Sequence, residues 1–230
     1  MRALLLAAGF GSRLQPLTIH TPKCLMPIRG RPLLGIWLEQ LIDAGVGPFL
    51  INTHYLFEKV EAFIETSPYK NKVKLMYEES LKGTAGALIE NKDFFGDEDL
   101  LLIHADNYYL GDLSQLIYAH QNRPQGCLMT MMTFTTDSPE SCGIVEIDDY
   151  GVVIGFHEKV KDAPSNLANS AVYVISNELL KILSHNSAGC IDFSNDVIPR
   201  FLGNIYSYET QDLMIDIGTL VSYEKANYEY

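Results

Sequence analysis

Gly9-Phe10-Gly11-Ser12-Arg13-Leu14, then Pro16-Leu17-Thr18 and Thr21-Pro22-Lys23, follow directly on the apolar run Leu4-Leu5-Leu6-Ala7-Ala8. Glycines carry no Cβ, so their backbone N–H groups can come close to phosphate oxygens. Arg13 can grip a polyphosphate with a forked guanidinium, and Lys23 adds a compact point charge. The pattern reads as a strand feeding a polyphosphate-binding loop. Charge supports it: the first 38 residues hold Arg2, Arg13, Lys23, Arg29 and Arg31 and no Asp or Glu, in a chain of formal net charge -12. So acidic a protein repels an anionic ligand unless cations are gathered where that ligand binds. Two carboxylates, Asp106 after Leu101-Leu102-Ile103 and Asp216 after Leu213-Met214-Ile215, each end an apolar run. Such a pair suits Mg²⁺, which takes one or two carboxylates together with phosphate oxygens and water.

Other chemistries fit less well. Gly9-Phe10-Gly11 lacks the third glycine of a dinucleotide fingerprint, and no acidic residue closes a following strand about 20 residues on. The GxxxxGK[ST] pattern of P-loop enzymes is absent. The acidic excess argues against nucleic acid as a partner, since phosphate-backbone binding needs a broad cationic surface. Cys24, Cys127, Cys142 and Cys190 form no CxxC or Cys/His ligand spacing and read as reduced cysteines. No apolar run approaches the roughly 18 residues of a membrane span, and Met1-Arg2 before a short strand is no signal peptide. A cytoplasmic protein without a membrane partner is expected; a homo-oligomeric state is left open.

The elements that must position these residues alternate. Residues 2–7 read as a buried strand, 33–44 as a helix, 48–52 as a strand, 57–64 as a helix, 73–77 as a strand and 84–89 as a helix. Residues 100–104 make a fourth buried strand and 113–120 a helix. This predicts an α/β fold, a Rossmann-like, doubly wound and mostly parallel mixed sheet. Ligands in such sheets sit beyond the carboxyl ends of the strands, which puts the glycine loop and Asp106 on one rim. Later strands are expected at 127–134, 143–147, 152–158 and 168–175, helices at 177–183 and 195–202, short strands at 205–208 and 213–217, and a last helix from about Leu220. These strands are expected to extend the sheet and build a small substrate lobe. One domain is expected over 1–230, in two halves, 1–125 and 126–230, that the resemblance described next assigns to a nucleotide and to a sugar phosphate. Asp97, Glu98 and Asp99 read as a solvated turn.

The extended loop closely resembles the signature of the sugar-1-phosphate nucleotidylyltransferases. Gly83-Thr84-Ala85-Gly86, His104-Ala105-Asp106-Asn107, Phe156-His157-Glu158-Lys159 and Ile215-Asp216-Ile217-Gly218 resemble the same family in the same order. The resemblance covers nearly the whole chain and implies the nucleotide-diphospho-sugar transferase fold. It implies that a nucleoside triphosphate and a sugar 1-phosphate are the substrates and that Mg²⁺ is held by Asp106 and Asp216. Arg13, Lys23 and Asp106 become the catalytic residues. Leu6, Ala7, Ala8, Gly9, Gly11, Ser12, Arg13, Glu78, Gly83 and Thr84 would contact the nucleotide, and Gly143, Glu158, Lys159 and Asn169 the sugar phosphate. By this resemblance Lys159 meets the phosphate and Glu158 a sugar hydroxyl, from opposite faces of one strand. Two departures bear on the sugar pose: Val160 replaces the usual proline after the lysine, and Asn169-Ser170-Ala171 replaces Asn-Ala-Gly. Glu78 would face the base; a carboxylate can accept from N1–H and the exocyclic amine of guanine but from only one N–H of uracil. Ala7-Ala8 in place of Gly-Gly points the other way. The spacing is most similar to short mannose- or heptose-1-phosphate guanylyltransferases, with a uridylyltransferase of hexose or amino-sugar phosphates as the alternative. A non-catalytic nucleotide-sugar sensor of the same fold would be expected to lose Lys23, Asp106 or Asp216, and all three are present. No helical-repeat domain of the longer relatives is expected after Asp216.

Overall fold

A computed structural model describes residues 1–186 and 188–228. In chain order the elements are β1 (Arg2–Leu6), β2 (Pro27–Ile28), β3 (Arg31–Pro32), α1 (Leu33–Asp43), β4 (Phe49–Thr53), α2 (Phe57–Thr66), β5 (Val73–Tyr77), α3 (Thr84–Glu90), α4 (Lys92–Phe95) and β6 (Leu100–His104). Then follow β7 (Asn107–Leu110), α5 (Leu113–Gln121), β8 (Met129–Thr135), β9 (Gly143–Ile147), β10 (Val153–Glu158), β11 (Leu167–Ile175), α6 (Asn177–His185), β12 (Ile205–Glu209), β13 (Leu213–Asp216) and α7 (Leu220–Tyr228).

The chain forms two compact units. The first is Met1–Leu81 with Ile103–Leu113 and Asp212–Tyr230; the second is Lys82–Leu102 with Ser114–Gln211. The expected halves at 1–125 and 126–230 are therefore corrected. Residues 212–228 return to the first unit because β13 pairs antiparallel with β7.

In the first unit the strand order runs β1-β4-β5. β1 pairs parallel with β4 and β4 with β5, in the registers Leu6↔Asn52 and Asn52↔Met76. Helices flank this sheet, so its central strands bury both faces: Ala3, Leu4, Leu5, Phe49, Leu50 and Ile51 are wholly inaccessible. α1 starts behind Pro32 and packs Leu33, Leu34, Trp37, Leu38 and Leu41 into the core. The expected α/β architecture is thus present.

The second unit is richer in antiparallel pairing. β10 pairs with β9, and β11 pairs antiparallel with both β8 and β9, while β12 runs parallel to β8. Three expectations fail. The helix foreseen at 195–202 is a π-turn, Phe193–Val197, followed by a 3₁₀ turn, Ile198–Phe201. Pro199 has no N–H to give and its ring would strike the carbonyl of residue 195 in a continuous α-helix. Asp99 is no solvated bystander, since its carboxyl faces the buried His120 at 3.3 Å and accepts the Asn177 N–H. β13, expected to join the main sheet, forms a separate two-stranded ribbon with β7 in the first unit. Among the described residues no helix is long and apolar enough to cross a membrane.

The start of α3 is fixed by its contact with residues 191–193. Gly83 has φ +78°, and a Cβ there would stand 2.3 Å from the Ile191 carbonyl oxygen. That oxygen accepts the Ala85 N–H, while the Thr84 hydroxyl accepts the Phe193 N–H at 2.6 Å. Gly83→Ala should destabilise the protein by about 1–3 kcal/mol, from strain and displacement of backbone that cannot move cheaply. Urea unfolding followed by circular dichroism checks this; an unchanged midpoint would contradict it.

Candidate active site

β1 ends where its backbone ladder with β4 runs out, at Leu6 opposite Asn52. One further bond extends it: the Ala7 N–H donates to Asn52 Oδ1 at 2.8 Å. Beyond Ala8 the chain leaves the sheet, and Gly11 turns it back with φ +62°. A Cβ on Gly11 would lie 3.0 Å from Thr18 Cγ2 and 3.1 Å from Lys23 Cβ. The Thr18 hydroxyl closes the turn by donating to the Gly11 carbonyl. The rest of the segment is three short 3₁₀ turns, Ser12–Leu14, Leu17–Ile19 and Lys23–Leu25. Leu6, Ala7 and Ala8 are buried, whereas Gly9, Ser12 and Arg13 are exposed.

The third turn carries Lys23 into the protein. Its side chain is only 6% exposed, and its ammonium donates to Asp106 Oδ2 at 3.0 Å and to Asp216 Oδ1 at 3.2 Å. The ribbon of β7 and β13 makes this convergence possible, because Asp216 stands opposite Asn107, next to Asp106. The ribbon is itself anchored: Trp37 Nε1 donates to the Asn107 carbonyl, and the Tyr109 hydroxyl donates to Asp212 Oδ2. Arg13 is mostly solvent-exposed, with its guanidinium 3.7 Å from Asp216 Oδ2. The sequence shows these two cations without acidic neighbours; the fold supplies them from 83 and 193 residues away. Burial is the largest influence on Asp106 and opposes its charge, but Lys23 and His104 outweigh it and hold its carboxyl below the usual range. Burial pushes the neighbouring Cys24 thiol up to about 12, so that side chain stays protonated and inert.

Mg²⁺ can be tested against these groups. Both carboxylates are partly exposed, and each uses one oxygen to reach a single cationic point. No group of three or more His, Cys, Asp or Glu side chains suited to a metal occurs among the described residues. Two convergent carboxylates without a protein-made cage are the donor set of an ion that completes its shell with water and phosphate. The residues fit.

Glu78, expected to face the base, is engaged by a neighbouring strand. It is 3% exposed, and its Oε1 accepts from Asn52 Nδ2 at 2.9 Å. Asn52 is the residue that sequence reasoning missed; the available signal was an amide at the end of an otherwise apolar strand, Phe49-Leu50-Ile51.

The sugar-directed residues lie in the second unit, as do Gly83 and Thr84, whose polar groups engage residues 191–193. Gly143 sits opposite Glu158 in the β9–β10 register, and a Cβ there would come within 2.7 Å of Glu158 Oε2. A Cβ there would have to push aside the Glu158 carboxylate and the Phe156 ring. Lys159 does not continue the strand. Its φ of +52° ends the alternation, and its ammonium meets Glu158 Oε1 at 3.0 Å. The expected opposite-face arrangement is corrected accordingly. Asn169 Nδ2 donates to the Tyr173 hydroxyl at 2.7 Å, and its Oδ1 accepts the Ala171 N–H. It sits at a break in the β11–β8 register.

A family model described as "Nucleotidyl transferase" matches residues 2–230. The chain is 29% identical over 231 residues to a putative mannose-1-phosphate guanyltransferase of Sulfolobus acidocaldarius, covering 99% of this chain and 62% of that protein. It is 26% identical over 245 residues to a UTP–glucose-1-phosphate uridylyltransferase of Synechocystis, covering 98% and 62%. The chain thus spans about three fifths of the length of these curated relatives. Its fold matches a putative glucose-1-phosphate thymidylyltransferase from Bacillus anthracis with TM-score 0.84 and 24% identity, over 99% of this chain and 94% of that one.

The depressed Asp106 carboxyl gives a prediction with a fixed sign. Its pKa lies below the ordinary 3.8, so the pair with Lys23 stabilises the folded chain above that value. The contribution is lost as pH falls through the lower folded value. Asp106→Asn should therefore be less stable than wild type at pH 7, and the gap should close as the pH is lowered below about 4. Urea midpoints of both proteins across that range decide it; a gap that persists in acid would rule the pair out as its source.

Proposed function

The chain belongs to the nucleotidyl transferase family, and we propose that it transfers a nucleoside monophosphate from a nucleoside triphosphate to a sugar 1-phosphate, releasing pyrophosphate. The observation that carries this reading is the buried Lys23 ammonium shared by Asp106 and Asp216. The attacking group is a phosphate monoester whose second pKa is about 6, so it is already mostly dianionic at neutral pH. No general base is required, and the obstacle is repulsion between two anions. The protein's work is positioning and charge neutralisation. Lys23 is held at a fixed point by two carboxylates and cannot swing into solvent, so it meets an incoming phosphate without reorganising. Arg13, exposed at the loop, grips the pyrophosphate portion. Asp106 and Asp216 would hold Mg²⁺, which when bound supplies further neutralisation of the triphosphate. In the second unit Lys159 takes the sugar phosphate, while Glu158 and Asn169 orient sugar hydroxyls.

For the base, guanine is supported by the name of the Sulfolobus relative and by the spacing of the motifs, making GTP with mannose or heptose 1-phosphate the first choice. The Asn52 amide already engages one Glu78 oxygen, which weakens the two-acceptor argument for guanine, and the Synechocystis relative points to a second reading, uridylyl transfer.

A pyrophosphate-release screen crossing four nucleoside triphosphates with mannose, heptose, glucose, glucosamine and N-acetylglucosamine 1-phosphates should show highest turnover with GTP and mannose or heptose 1-phosphate. A UTP optimum would replace the first reading by the second. On the best pair Lys23→Met should lower kcat roughly 10²–10³-fold, the scale of losing one charge-stabilising donor. Near-normal turnover in this variant would remove the mechanism. Lys159→Ala should raise KM for the sugar phosphate well beyond any change for the triphosphate; equal changes in both would take Lys159 out of the sugar site.

A further inference from the structure

Asn52 and Glu78 are buried polar side chains at the carboxyl ends of two neighbouring parallel strands, 4% and 3% exposed. Polar groups cost free energy in such places unless they are fully hydrogen-bonded, and an apolar pair would fill the space more cheaply. The contacts show what they do instead. The Ala7 N–H is a donor, so the side chain facing it must present Oδ1, which sends Nδ2 to Glu78 Oε1. The orientation of the amide is thereby fixed, and only an amide satisfies both neighbours. Glu78 is tethered in turn, its N–H to the Thr53 carbonyl and its carbonyl to His54 Nδ1. The next residues reach further along the same loop. His54 meets the edge of Phe10 with ring centroids 5.4 Å apart, and Tyr55 meets it at 5.6 Å. The Tyr55 hydroxyl contacts the carbonyls of Thr18 and Ile19 at 3.1 and 3.0 Å. Lys59 donates to the carbonyl of His20.

We infer that Asn52, oriented by Glu78, is a positioning residue for the triphosphate loop: it fixes the point where β1 hands over to the loop, and His54 and Tyr55 back the rest. This rests on the proposed function, since the loop is taken to bind the triphosphate. Glu78 then acts through Asn52 on the loop backbone, not on the base. A preformed loop spares the ligand the cost of ordering it, so loosening the loop is felt as weaker triphosphate binding and less as slower chemistry.

The test uses the full chain with Asn52→Ala, Asn52→Asp, Glu78→Gln and the double variant Asn52→Asp/Glu78→Gln, each confirmed folded by circular dichroism. Asn52→Ala should raise KM for the triphosphate about tenfold, the order expected for stranding a buried donor, while KM for the sugar phosphate stays near its wild-type value. Asn52→Asp removes the N–H donor and sets two carboxyl groups face to face, so it should be at least as impaired. In the double variant the amide introduced at 78 donates to the carboxyl introduced at 52, whose oxygen still accepts the Ala7 N–H, and triphosphate KM should return toward wild type. Amide exchange at Ala7, followed by NMR, should quicken in Asn52→Ala and recover in the double variant. A double variant no better than Asn52→Asp overturns the inference, as does an Asn52→Ala that weakens both substrates equally. So does a Glu78→Gln variant that changes which triphosphate is preferred. A wild-type protein inactive on every substrate pair would instead overturn the proposed function. Ala7 exchange then decides the inference by itself, unchanged protection in Asn52→Ala counting against it.

Discussion

One buried ammonium organises the first unit. Lys23 reaches it on a one-turn 3₁₀ helix, Asp106 from the turn between β6 and β7, and Asp216 from the last residue of β13. Each carboxylate alone would leave the ammonium underpaired in a place it can hardly escape, and buried charges persist only when paired and hydrogen-bonded. The three chain segments are therefore mutually dependent. The β7–β13 register has to put Asp216 beside Asp106, since a slip of one residue would turn its side chain to the other face of the ribbon. Trp37 and Tyr109, with partners on the ribbon's backbone and on Asp212, resist such a slip.

A second constraint comes from the parallel sheet. Its strands end together and leave backbone groups with no ladder partner at the carboxyl rim. At β1 the vacancy beyond Leu6 is filled by a side chain, Asn52, which lets the backbone depart at a defined point and angle. The loop beyond it is short of regular hydrogen bonds, so it depends on such outside anchors, the Thr18 hydroxyl and the Tyr55 phenol among them. Rigidity is borrowed from β4, every residue of which is buried in the helix-covered sheet.

Much of this was legible in the sequence, and the failures have identifiable causes. Buried strands announce themselves as short apolar runs, which is why Leu100–His104 is legible with its observed bounds. Asp106 and Asp216 were legible because each follows such a run. What no local pattern could reveal was that Lys23 lies between them. Glu158-Lys159 was misread because period-two alternation assumes extended backbone, and Lys159 is left-handed. The proline usual after this lysine would hold the residue before it in the extended region, so Val160 permits the observed turn. β7 was overlooked since Asn107–Leu110 follows its turn immediately, without the polar break that normally separates strands. Glu78 was legible as a chemical group but not as a buried one, because its burial depends on Asn52.

The same cluster changes the electrostatic argument that the sequence suggests. Read along the chain, Arg13 and Lys23 form a cationic island in an acidic protein. In the fold two positive side chains face two carboxyl groups, so the formal charge of the cluster is zero. A neutral cluster within a chain of net charge -12 exerts little long-range pull on a bare triphosphate. Its cations are nonetheless fixed in place, at the cost of partners that a triphosphate would have to displace or share. On the proposed function, Asp106 and Asp216 would hold a divalent cation that offsets their charge, and Lys23 and Arg13 would then be left to the phosphate oxygens. The paired carboxylates thus keep a buried lysine oriented, and on the proposed function they would also tie triphosphate binding to a metal.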